Sequence, residues 1–162
     1  MQAWWRAAHL HDVADAFDAL AAHASDVVEC HRPVCLASGA CCHFGEHGHV
    51  LLVTGLEAVL IWRRGARVDQ RAARHSITAE RCPHLDGKNC SIHALRPVGC
   101  RAYFCDPSAH EWQRALGESM HAAVRRIHDD HSIPYLLAEW TWLLDAVATS
   151  DAQGLLRREL PL

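Results

Sequence analysis

The sequence predicts a small, mainly α single domain: a helical scaffold carrying cysteine-rich loops, with at most a short strand or hairpin. Three observations lead there. Apolar residues recur at three- and four-residue steps over long segments at both ends of the chain, the mark of amphipathic helices. All eight cysteines of the 162-residue chain fall between Cys30 and Cys105. Half of the residues are hydrophobic, enough for one compact core at this length. No repeat, low-complexity tract or linker divides residues 1–162, so the cysteine-bearing core at about 30–105 is flanked by N- and C-terminal helices of the same domain.

Taken in order, residues 2–29 read as one long helix with Leu10, Val13, Phe17, Leu20, Ala24 and Val27 on a single face. That stripe is core packing or a helix seam, and it is too short to define a coiled coil. From Cys30 to Gly48 the hydrophobic period vanishes and Cys, His, Gly and Pro dominate. Such a stretch is a loop that a bound ion has to organise. His49–Thr54 is a short apolar run of strand character. Thr54 opens a capping box with Glu57 and starts a helix to about Arg64, with Gly65 as its stop. A weaker helix is expected over Val68–His75.

Between Cys82 and Cys90, Asp86-Gly87 is a turn signal that folds the flanking cysteines together. Pro97 suits the first position of a short helix that carries Cys100 on its first turn, where the positive helix end favours a thiolate. Residues 108–130 form another helix with Trp112, Leu116, Met120, Val124 and Ile127 on one stripe. A last apolar helix is expected over 135–148, with Tyr135, Leu136, Trp140, Leu143 and Leu144. Leu155 and Leu156 would dock the tail. Trp4 and Trp5 stand at a helix end where full burial is difficult.

A net charge of −3 leaves no electrostatic footprint for nucleic acid or an anionic membrane. All but one of the sixteen basic residues are arginine, a bias that genomic base composition explains as simply as anion recognition does. The N-terminal residues contain no uninterrupted apolar run of the kind a secretory signal needs. Ile133–Val147, the most apolar later stretch, is broken by Pro134, Glu139 and Asp145 and is too short to span a bilayer. The expected location is therefore the cytoplasm. No protein partner, substrate or oligomeric state is legible.

In that compartment thiols stay reduced and clustered cysteines bind metal more often than they pair. The adjacent Cys41-Cys42 also argues against a disulfide framework, because bridging neighbours strains the backbone between them. The cysteines form two sets of four: Cys30, Cys35, Cys41 and Cys42, then Cys82, Cys90, Cys100 and Cys105. Four thiolates satisfy one tetrahedral zinc or one iron–sulfur cubane. The spacings, Cys-x4-Cys-x5-Cys-Cys and Cys-x7-Cys-x9-Cys-x4-Cys, are not those of a zinc ribbon, so all eight stand as candidate ligands and the metal stays open.

The segments Cys41-Cys42, Thr54-Gly-Leu-Glu57, Cys82-Pro-His-Leu, Cys90-Ser-Ile-His, Arg96-Pro97 and Cys100-Arg101-Ala-Tyr103 resemble the YkgJ-like cysteine-cluster family over about residues 30–105. The resemblance implies a zinc- or iron-chelating protein, or one that holds an iron–sulfur cluster. The family's compact C-x2-C-x2-C-C is stretched here, His93 replaces a usual Tyr, and Cys105 has no family-wide counterpart. The leading reading is an iron–sulfur cluster, [4Fe–4S], held by thiolates from both loops, in redox or modification chemistry. The alternative is a non-enzymatic zinc module that presents a protein-binding surface. Arg101, and with it Arg96, is the residue expected to offset the charge of the cluster and donate to its sulfurs.

The chain has fourteen histidines. His43, His47 and His49 are read as exposed loop residues with a secondary option as ligands, and His84 and His93 as donors behind the ligands. His121, His128 and His131 are read as surface residues. No phosphate loop, nucleophile elbow or zinc-protease helix is present. Whether the chain is an enzyme stays undecided.

Overall fold

The computed structural model describes residues 1–35 and 38–156. Its helices are α1 (Gln2–Ala7), α2 (His11–His31), α3 (Phe44–His47), α4 (Gly55–Arg63), α5 (Gln70–Thr78), α6 (Val98–Ala102), α7 (His110–Asp130) and α8 (Trp140–Ala152). Strands β1 (Leu52–Thr54) and β4 (Leu137–Glu139) pair antiparallel, as do β2 (Leu85–Asp86) and β3 (Asn89–Cys90). The mainly α expectation holds. Among the described residues no helix is long and apolar enough to cross a membrane.

Helix α4 is the axis of the molecule. Leu56, Ala58, Val59, Leu60, Ile61 and Trp62 are all buried, because α1, α8 and β1 pack around it. Its start is the predicted capping box: Thr54 Oγ1 accepts from Glu57 N at 3.2 Å, and Glu57 Oε2 accepts from Thr54 N at 3.0 Å. Gly65, at φ +101°, ends it as expected. The predicted stripe of α7 is also realised, with Leu116, Met120, Val124 and Ile127 buried.

Two expectations are corrected. The helix expected over 2–29 is two helices, with Leu10 extended between them and 47% exposed. In one continuous helix Trp4 and Val13 would lie about 180° apart, yet both are buried. The break lets α1 turn onto α4, where the Trp4 indole N–H donates to the Pro134 carbonyl at 2.6 Å. The helix expected over 135–148 begins only at Trp140. Leu137–Glu139 instead extends along β1, with Leu52 opposite Glu139 and Thr54 opposite Leu137. Short apolar runs fit strand or helix equally well from periodicity, and here the partner strand decides. Leu156 is buried, so the chain docks at that residue as expected.

Candidate metal centre

Two loops meet beside the N-terminal ends of α4 and α6. In the first, a 3-10 turn over Ala40–Cys42 presents Cys41 and Cys42. Gly39 precedes it at φ +76°, where a Cβ would lie 3.1 Å from Leu85 Cδ1 and 3.3 Å from the Lys88 backbone. Glycine therefore lets this loop press against the β2–β3 hairpin. In the second loop, Gly87 at φ +59° makes the tight turn and sets Leu85 opposite Cys90. The loops are joined through the backbone, since Cys82 N donates to the Cys42 carbonyl at 2.8 Å.

Cys100 arrives on α6. Pro97 is the cap of this helix rather than its first residue, and Cys100 N donates to the Pro97 carbonyl at 3.0 Å. The helix is held by Glu57, whose Oε1 accepts from Val98 N at 3.1 Å while Oε2 serves Thr54. One buried carboxylate thus receives the first N–H of α6 and completes the cap of α4. Burial pushes Glu57 above the usual carboxyl range, against its hydrogen bonds from Thr54 and Val98.

All eight cysteines carry free thiols. Those brought together are Cys41, Cys42, Cys82, Cys90 and Cys100. A thiol–thiol hydrogen bond to Cys42, burial and the neighbouring Cys42 charge drive Cys41 far above an ordinary thiol. For Cys42 the bond with Cys41 favours the thiolate, but the bond with Cys82, burial and repulsion from Cys82 and Cys90 outweigh it, and the thiol is pushed up to about 12. Cys100 is raised by burial and by repulsion from Cys42, Cys90 and Cys41. Arg96 opposes the shift at both Cys41 and Cys100. Thiolates that repel one another in a partly desolvated nest form when a cation replaces their protons.

The other candidates lie at the edge. Cys105 is exposed and in electrostatic reach of Cys41 and Cys35. Cys35 is exposed in the loop after α2, and Cys30 is exposed on the last turn of α2. Arg101 donates to the Ala94 carbonyl at 2.7 Å and is in electrostatic reach of Cys100. His47 is exposed, His43 pairs with Glu46 at 3.3 Å, and the Cys41 carbonyl accepts from His49 Nε2 at 3.1 Å. His93 is exposed against Arg96 at 2.6 Å. His84 is buried against Trp140, and burial lowers it to about 4. His128 corrects an expectation: it is buried rather than at the surface, with Nδ1 bonded to the Ile133 carbonyl at 3.3 Å. Beside this loop a cleft of about 420 Å³ runs past Phe44, His49, Leu51, Glu80 and Trp140.

One role was not foreseen from sequence. Glu57 was legible as a cap, but its bond to Val98 spans 41 positions and leaves no local signal. Arg96, expected alongside Arg101, is in electrostatic reach of Cys41 and Cys100, and Arg101 is in reach of Cys100.

The donor set fits a thiophilic metal, since soft thiolates select zinc, copper(I) and iron–sulfur centres. Among the described residues no group of three or more His, Cys, Asp or Glu is set to hold one metal ion. The thiols converge without closing, and closure falls to the binding step. A family model described as CxxCxxCC, "Putative zinc- or iron-chelating domain", matches residues 29–118, more than half of the chain. The chain belongs to this CxxCxxCC family. Its matched span begins just before Cys30 and ends within α7, so it includes all eight cysteines, Thr54, Glu57 and Arg96. No curated protein and no solved structure matches the chain. A zinc- or iron-chelating domain is the functional class that family and donor set share.

Proposed function

We propose that this chelating domain holds an iron–sulfur cluster, [4Fe–4S], through thiolates from both loops, and that the cluster serves redox or modification chemistry. The observation that carries the reading is the gathering of five thiols, with Cys41, Cys82, Cys90 and Cys100 each in electrostatic reach of Cys42. A tetrahedral ion and a cubane each take four thiolates, so the spread of the donors rather than their number carries the reading. A polynuclear core spreads its ligands and suits thiols that converge without closing on one point. Such a cluster supplies one-electron chemistry, with its potential set by charge, hydrogen bonds to sulfur and exposure. The residues here act on those terms: Arg96 places a positive charge beside Cys41 and Cys100, exposed Cys41 opens one side to solvent, and the neighbouring cleft gives a reaction partner a place to dock.

A zinc module is the second reading, favoured by the chain of thiol contacts Cys41–Cys42–Cys82, which brings three soft donors next to one another. Metal and acid-labile sulfide analysis on protein purified without oxygen separates the two. The cluster reading expects about four irons and four sulfides per chain with a broad visible absorbance. One or two zinc atoms, no sulfide and no colour would replace it with the zinc module.

A further inference from the structure

Where α2, α4 and α6 meet, three arginines from distant positions line one small pocket. Arg64 comes from the end of α4, Arg96 from the turn before α6 and Arg101 from α6 itself. The floor is apolar, with Phe17, Leu60 and Val98. Like charges gather at a cost unless something offsets them, and here three guanidinium groups line one pocket. Among the described residues the carboxylate paired with them is Asp18, bound to Arg64 at 2.7 and 3.0 Å. Glu57 also lines the pocket, but both of its oxygens are taken by Thr54 and Val98.

Arg64 donates to both Asp18 oxygens and to the Ala14 carbonyl, whereas donors remain on Arg96 and Arg101. Arg101 spends one N–H on the Ala94 carbonyl and Arg96 spends one on His93. Arg96 Nε is buried without a hydrogen-bond partner, a costly state for a charged donor. The pocket measures about 40 Å³, room for about three water-sized groups, which is the scale of the oxygens of a phosphoryl group.

We propose that Arg64, Arg96 and Arg101 form a binding site for a phosphate group at the α2–α4–α6 junction. Planar guanidinium forks match tetrahedral oxyanions in geometry as well as charge, and the apolar floor limits competition from water. The site lies next to the metal centre through Arg96, yet it depends neither on which metal is bound nor on the cluster reading above.

Calorimetric titration of the metal-loaded chain with inorganic phosphate, at constant ionic strength and against chloride, tests this. One saturable site is expected. Arg96→Gln and Arg64→Gln should each weaken it about tenfold or more, the loss of a charge-assisted hydrogen bond, while Arg114→Gln on the exposed face of α7 should leave it unchanged. Metal content measured alongside shows that phosphate is not stripping the centre. Phenyl phosphate as a second probe identifies the source: tighter binding than inorganic phosphate points to the phosphoryl end of a larger molecule, and equal or weaker binding to the free ion. A wild-type response to phosphate no greater than to chloride would overturn the proposal whatever the variants do. So would binding that survives both substitutions undiminished.

Discussion

His84 shows how a single side chain ties acid sensitivity to this fold. It is 4% exposed, and burial lowers it to about 4 from an ordinary value of 6.5. The unfolded chain therefore takes up this proton first as pH falls, and the stability due to the neutral ring, complete above pH 6.5, is lost toward pH 4. The difference corresponds to about 3 kcal/mol at most. Replacing the ring by one that cannot titrate should remove that slope. In denaturant titrations at equal metal loading, His84→Phe is expected to lose less stability than the wild type between pH 6.5 and 4, and parallel pH profiles would refute the assignment. The Cys42 and Cys100 thiols act in the same direction on metal binding: both are raised, so loading must release protons and weaken as pH falls. Residue identity was legible for all of these groups, but burial was not. His84 and His128 look like any other His in a sequence that contains fourteen, and only packing separates them from the exposed ones.

At the scale of elements, the centre depends on how α4 is seated. Two features hold it: the close approach of Trp4 to Gly55, where a Cβ would come within 2.5 Å of the indole, and the double duty of Glu57. Gly55→Ala should push Trp4 and α1 off the core and destabilise by about 1–3 kcal/mol, as overpacking does, with little change in metal affinity because α1 packs on α4 and carries no cysteine. Glu57→Gln keeps the shape but turns an amide N–H₂ toward N–H and O–H donors. It should cost roughly 1–3 kcal/mol and weaken metal binding as well, because the first turn of α6 loses its acceptor. Thermal unfolding and metal competition on the two variants check this. Equal metal affinity in Glu57→Gln and wild type would show that α6 does not need the carboxylate. The capping box and the α7 stripe were readable because their partners lie within one or two turns. The division of the first helix and the strand at Leu137–Glu139 were not, since each is imposed by an element far away in the chain: α4 for the first and β1 for the second.

For the whole molecule, two loops with little hydrophobic content of their own are drawn together by a helical frame and tied by backbone hydrogen bonds, Cys82 N to the Cys42 carbonyl and Gly45 N to the Glu80 carbonyl. The number and type of donors could be read from the cysteines alone, and so could the class of metal they suit. Which thiols share a centre could not, because the two sets lie some forty residues apart and their meeting depends on Gly39, Gly87 and Glu57 acting in different segments. The central claim is that Cys41, Cys42, Cys82, Cys90 and Cys100 surround one metal centre while Cys30 stands outside it on α2. Alkylation of the metal-loaded protein followed by mass spectrometry of each cysteine tests that claim most directly. The account predicts that those five are protected until a chelator or acid removes the metal, while Cys30 is modified from the start. Protection of Cys30 together with free modification of Cys82, Cys90 or Cys100 would contradict it.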